Sequence, residues 1–153
     1  MPPSAPSAQP FDEAGLTAWQ AFHTLALVRL TGLANALETG DGRRMLELLG
    51  WMATALVDHN LAEERDFHPL LAEADAGDLG RRLAEEHVEM LDLTRQWFAD
   101  VDHGACATTA SRLMDLVRRH MDLEESLMLP LLQGRCLNLG GQVQVLRSLQ
   151  SPI

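Results

Sequence analysis

The sequence contains no tyrosine, and aromatic residues make up only 5% of its 153 positions. Strands favour aromatic and β-branched side chains, so this shortage, set against recurrent Leu, Ala and Met, favours helix over sheet. Long apolar runs are also missing: charged or polar residues interrupt every stretch before the roughly 18 residues that a membrane span needs. The opening string MPPSAPSAQP has neither the basic nor the apolar region of a secretory signal. Its Pro, Ser and Ala content reads as a disordered leader over residues 1–10. Cysteine is limited to Cys106 and Cys136, too few for a disulfide framework. A straight helix between them would hold them roughly 40 Å apart, beyond bridging distance. These absences make the cytoplasm the expected location. Basic residues are outnumbered by acidic ones, 12 against 22, for a net charge of -10. That balance argues against nucleic acid or an anionic membrane surface as a partner.

What is present is helical periodicity in four segments, enough chain for one domain with a single core. The first runs from about Asp12 to Glu38, with Leu16, Trp19, Phe22, Ala26, Leu30, Leu33 and Leu37 at helical spacing. The turn string Thr39-Gly40-Asp41-Gly42 ends it. A second begins near Arg43 and carries Leu46, Leu49, Met52, Leu56, Leu61 and Phe67, with Pro69 as a kink or stop. After Ala76-Gly77-Asp78, a third runs from about Leu79 to Phe98 and closes at Asp102-His103-Gly104. Thr108 or Thr109 is the expected cap of the fourth, which reaches Pro130. Four such helices on short loops predict an all-α, up-down-up-down antiparallel four-helix bundle over residues 11–134. Residues 135–153 form a tail that includes a short helix or stays mobile.

The second and fourth helices repeat one string. His59-x-x-x-Glu63-Glu64 and His120-x-x-x-Glu124-Glu125 each reach Pro-Leu-Leu ten residues after the histidine, at Pro69 and Pro130. The helix before each string has one central histidine, His23 or His87. The chain therefore reads as two helical hairpins related by a pseudo-twofold axis. Residues four apart on a helix stack on one face, so His59 pairs with Glu63 and His120 with Glu124. Each pair continues an apolar stripe: Met52, Leu56, Phe67 and Leu70 for His59; Leu113, Leu116, Val117 and Leu127 for His120. His23 lies with Leu16, Trp19, Leu27 and Leu30, and His87 with Leu83, Met90, Leu91 and Thr94.

Four imidazoles and two carboxylates thus face inward. An unpaired buried carboxylate costs several kcal/mol, and six buried polar groups would consume most of a stability of ~5–15 kcal/mol. A divalent cation removes that problem by neutralising the carboxylates and accepting the imidazole lone pairs. Imidazole with carboxylate suits iron, manganese or zinc, and the lack of inward thiolates argues against iron–sulfur chemistry. A lone histidine is more often a core or surface residue than a ligand, which leaves His68 and His103 as non-ligands. Glu64 and Glu125 have the plainer reading of surface charges, and Trp19, Met52, Met90 and Trp97 that of core packing.

The pattern of one His on the first helix, His-x-x-x-Glu on the second, His on the third and His-x-x-x-Glu on the fourth resembles the hemerythrin-like (HHE cation-binding) family. The trailing Pro-Leu-Leu is similar to that family's pattern as well. The resemblance covers about Phe11 to Leu132 and implies a non-haem centre of two iron ions with an oxo or hydroxo bridge. It implies that Glu63 and Glu124 bridge the irons, with His23 and His59 on one and His87 and His120 on the other. Oxygen carriers of the family have His-x-x-x-His on the third helix, and here the second position is Leu91. One iron therefore lacks a histidine that carriers use. The carriers' bridging carboxylate follows the fourth-helix histidine by five residues, so Glu125 competes with Glu124. The repeat of the His59–Glu63 spacing favours Glu124.

The resemblance points to a protein that binds or senses dioxygen or a related small ligand, nitric oxide or peroxide, or that handles iron. Any signal then passes to a separate protein or through a homo-oligomer. A di-iron oxidase or peroxidase is the enzymatic alternative, but the Glu-x-x-His of ferritin-like oxidases is absent. The positions three before His59, His87 and His120 are Leu56, Ala84 and Val117. A metal-bound helical interaction module is the third reading, and it leaves the six inward polar residues unexplained.

Overall fold

Alanine, leucine, arginine and glutamate are strong helix formers, and their dominance carries through to the architecture. A computed structural model describes residues 13–100 and 106–132, and every regular element in them is helical. The expected leader, the His103 turn and the tail over 135–153, with Cys136, lie outside the described residues. The elements are α1 (Glu13–Thr39), α2 (Gly42–Trp51), a π turn π1 (Met52–Leu56), α3 (Val57–Asp66), α4 (His68–Glu73), α5 (Gly77–Asp100), α6 (Cys106–Leu123) and a second π turn π2 (Glu124–Met128). α2, π1 and α3 succeed one another without a break, as do α6 and π2, so four long rods form a helical bundle. Among the described residues no helix is long and apolar enough to cross a membrane.

Local chemistry explains the corners. Gly40 adopts a positive φ of 69°, which a residue without Cβ takes readily. Asp41 then caps α2, its Oδ1 accepting from the Arg44 backbone N–H at 3.1 Å. The turn before α5 uses Asp75 at φ 58°, a left-handed conformation that Asp tolerates better than most residues.

Several sequence expectations shift. α6 already begins at Cys106, so Thr108 and Thr109 sit inside the helix, and Thr109 is buried rather than capping. The helix stops after Asp66, as expected near Pro69, and Pro69 itself lies in the first turn of the next helix, α4, where a missing N–H has no partner to lose. Pro130 lies in continuing helix beyond π2. Leu27, Leu46, Leu61 and Leu127 are exposed rather than inward, at 49%, 50%, 57% and 49%. Ala26 and Leu48 take the inward places beside the first two. π turns hold more residues than α turns and so rotate the downstream helix, and Asn60 and Glu63 face inward after π1, as Glu124 and Met128 do in π2.

The core forms two apolar clusters. The larger contains Leu30, Leu33, Leu48, Met90, Trp97 and Leu113 among others; the smaller contains Trp19, Phe67, Leu71, Leu83, Met128 and Leu132. Fully burying a leucine or tryptophan contributes about 1.5–3 kcal/mol or more, so both clusters hold the rods together strongly. On every rod the two clusters are separated by the predicted histidine or His–Glu pair. Trp19 and Ala26 flank His23, Leu83 and Met90 flank His87, Leu56 and Phe67 flank His59–Glu63, and Val117 and Met128 flank His120–Glu124. A polar layer therefore crosses an otherwise apolar interior.

Candidate metal centre

All six predicted residues meet in that layer. They form two overlapping groups, His23–His59–Glu63–Glu124 and Glu63–His87–His120–Glu124, with the donor atoms of each group within 4.8 Å of one another. Five of the six are buried, and His59 is 11% exposed at its side chain. Glu63 Oε1 lies 3.0 Å from His59 Nε2 and 3.9 Å from His87 Nε2. Glu124 Oε1 lies 3.2 Å from His120 Nε2 and 3.5 Å from His23 Nε2. Each carboxylate thus faces a histidine of its own hairpin and one of the other.

These short distances are not hydrogen bonds. His23 Nε2, His59 Nε2, Glu63 Oε1 and both oxygens of Glu124 are buried and have no aligned partner. Orphaned buried donors and acceptors are uncommon in folded proteins, and here they converge on shared points in space. His87 Nε2 and His120 Nε2 approach to 2.9 Å. Two nitrogens bound at ~2.1 Å to one ion at right angles would lie about 3.0 Å apart, so the spacing suits a common cation. The donor set of imidazole and carboxylate fits iron, manganese or zinc.

The outer nitrogens explain why the inner ones point inward. His87 Nδ1 is 3.1 Å from Glu64 Oε1, His23 Nδ1 is 3.1 Å from Glu125 Oε1, and His120 Nδ1 is 2.7 Å from Glu86 Oε2. An ionised carboxylate only accepts, so each of these Nδ1 atoms carries the proton and donates it. The Nε2 lone pair is then left facing the layer, the tautomer that a metal requires. His59 differs: among the described residues no carboxylate reaches its Nδ1, and its ring stacks on Phe22 with centroids 4.0 Å apart and planes at 10°. Glu63 has a donor of its own, since Trp19 Nε1–H donates to Oε2 at 3.1 Å.

The charges respond to this crowding. Burial lowers the pKa of His120 and His23, despite the opposing hydrogen bonds to Glu86 and Glu125. Burial and the neighbouring His120 lower that of His87. In the metal-free layer His23, His87 and His120 are therefore neutral near pH 7 and offer free lone pairs. Burial and the adjacent Glu63 raise Glu124 well above the ordinary carboxylate range. Burial also acts to raise Glu63, but its close contacts with Glu124 and His59 and the hydrogen bond from Trp19 outweigh it and hold Glu63 below that range. Without a cation, Glu124 therefore keeps its proton to a higher pH than the adjacent Glu63.

Glu64 and Glu125, whose plainer reading was surface charge, instead hold the histidines of the opposite hairpin, so the second Glu of each string has a role across the layer. Glu86 and Trp19 carried no motif; only their neighbours in space give them one. Leu91 lines a cavity of about 110 Å³ with Met52, Leu56, Asn60, Glu64 and His87. His68 stacks on His87 with centroids 5.7 Å apart and belongs to neither donor group. His103 lies outside the described residues.

The Hemerythrin HHE cation binding domain model matches residues 14–132. No curated protein and no solved structure gives a match.

Proposed function

Because the chain belongs to the hemerythrin HHE cation-binding family, we propose that its six converging side chains hold two iron ions at a centre that binds or senses dioxygen or a related small ligand, nitric oxide or peroxide. The observation that carries this reading is the pair of donor groups sharing Glu63 and Glu124. In this reading His23 and His59 would hold one ion and His87 and His120 the other, with Glu63 and Glu124 common to both donor groups. Bound iron supplies the redox chemistry of dioxygen, which none of these side chains performs. The protein's part is to hold the lone pairs inward through Glu64, Glu86 and Glu125 and to keep bulk water out with the two apolar clusters. Leu91 adds to the apolar wall that Met52, Leu56 and Met90 give the cavity beside His87, and a mostly apolar wall suits a small uncharged diatomic molecule.

The two hairpins are read as an up-down-up-down bundle with a pseudo-twofold axis through the polar layer. The order of the apolar clusters along the rods supports this, as do the crossed pairs Glu64–His87 and Glu125–His23. A separate protein or a second copy of the chain in the cytoplasm would receive the signal. The test is elemental analysis of the purified chain, with absorption spectra of the reduced protein before and after oxygen. Two irons per chain and an oxygen-dependent charge-transfer band are expected. Zinc alone, or no iron in protein prepared with iron present, would replace this reading with a helical interaction module.

A further inference from the structure

The two halves of the layer are repeats of one pattern, yet different side chains stand behind them. Glu86 immediately precedes His87, and in the first hairpin the residue immediately preceding His23 is Phe22. Glu86 places Oε2 2.7 Å from His120 Nδ1. Phe22 occupies the corresponding place against His59 and stacks on its ring; its other close ring neighbour is Trp51, with centroids 5.4 Å apart. One histidine is therefore backed by an anion and its counterpart by a hydrocarbon face.

From this juxtaposition we infer that the two metal positions are unequal: the one at His87 and His120 fills first and holds its ion more tightly, while the one at His23 and His59 is the exchangeable position, with Glu86 as the positioning residue that creates the difference. The inference rests on the two-ion proposal and deepens it. A carboxylate on the outer nitrogen of a ligand imidazole fixes its tautomer and ring orientation and raises its basicity toward metal. Both histidines of the tighter position have one, Glu64 for His87 and Glu86 for His120. At the weaker position only His23 has one, Glu125, whose side chain is 52% exposed and so the most screened of the three. Glu86, at 18%, is the least screened, and its other oxygen lies 3.6 Å from Arg82 Nε, which keeps the carboxylate turned toward His120. On its outer side His59 meets the Phe22 ring in place of a carboxylate, and stacking fixes the ring plane without adding electron density to the nitrogen. It is also the most solvent-accessible of the four histidines.

The test is an anaerobic titration of the metal-free full chain with Co(II), read by calorimetry and by the visible ligand-field bands. Two resolved steps of one equivalent each are expected, the first lost in His87→Ala and retained in His23→Ala. Glu86→Gln should weaken the first step by about 10–100-fold and shift its bands. Glu86→Asp should restore part of that affinity, and Phe22→Glu should strengthen the second step. A merely structural role for Glu86 would change the unfolding of the metal-free protein without selecting one step. Where His87→Ala does not fold, the Glu86 variants decide. Two equivalents in a single unresolved step, a first step that depends on His23, or equal weakening of both steps in Glu86→Gln would overturn the inequality while leaving two-ion binding intact. Failure to bind two equivalents would overturn the two-ion reading itself, and this inference with it.

Discussion

At Pro69 the chain breaks helix after Asp66 and starts again at His68, whereas at Pro130, the same ten residues beyond its histidine, helix continues after π2. A proline removes one backbone donor and crowds the preceding turn, and these are two ways of accommodating it. Both leave the paired glutamate beside its own histidine, at 3.0 Å for His59–Glu63 and 3.2 Å for His120–Glu124. The surroundings of the pairs then diverge. The first hairpin packs Trp19 and Phe22 against its histidines, and the second sets Leu83 and Glu86 at the same places in the repeat. A repeat of ligand positions thus does not enforce a repeat of the side chains that stand behind them. The inner set is constrained by the need to surround a cation. The outer set answers only to its local neighbours.

The largest break in this comparison should come from the shared carboxylates. Glu63→Ala or Glu124→Ala should remove both ions, whereas His23→Ala and His87→Ala should each remove one; elemental analysis reads the difference. Loss of both ions would also remove their linked stabilisation, about 4 kcal/mol where free metal stands 1,000-fold above its Kd. Thermal unfolding with and without chelator checks this.

Acidity should separate the histidines from Glu124 in the metal-free protein. His23, His68, His87 and His120 have pKa values below the ordinary 6.5, so the unfolded chain protonates first as pH falls. Their contribution is present above pH 6.5 and is lost as pH drops below it. Glu124 works in the opposite sense. Its raised pKa means that its contribution is full below the ordinary 4.5 and is lost as pH rises through the elevated value. In Glu124→Gln, which lacks the opposing carboxyl, urea unfolding should therefore show a lower midpoint at pH 5 than at pH 7. Glu124→Gln should remove the decline on the alkaline side while abolishing metal binding.

Trp19→Phe keeps a ring beside His23 but deletes the donor to Glu63 Oε2. It should cost the metal-free protein about 1.5–3 kcal/mol, the range for hydrogen bonds to charged groups, as measured by urea unfolding. Leu83→Phe at the matching place should show no such selective effect on Glu63. The smallest effects should come from the prolines. Pro69→Ala and Pro130→Ala should each change stability by about 1 kcal/mol or less. Only Pro130→Ala should alter amide exchange across Glu124–Met128, because only there does the proline lie just beyond a π turn.

The ligand layer was legible because His-x-x-x-Glu is a local geometry, fixed by the helix repeat and visible in any window that contains it. The exposed leucines were not. Leu46 and Leu61 fit a helical stripe as well as Leu48 and Asn60 do, and the choice depended on π1 and on which neighbours the rod met. The roles of Glu64 and Glu125 were hidden for a related reason. Position five after a histidine is off the inward face of its own helix, and its partner lies on another rod.

By itself, then, the sequence determined that the chain is helical, where the corners near Gly40 and Gly77 fall, and which four histidines and two glutamates turn inward. Those properties arise from spacing along one helix and from the expense of burying polar groups singly. Only the tertiary structure decided that Glu64, Glu86 and Glu125 stand behind His87, His120 and His23, that Trp19 donates to Glu63, and that His59 has a phenyl ring in place of an anion. Each of those contacts joins residues on different rods. Their distances are set by how the rods pack, and no periodicity within one helix encodes them.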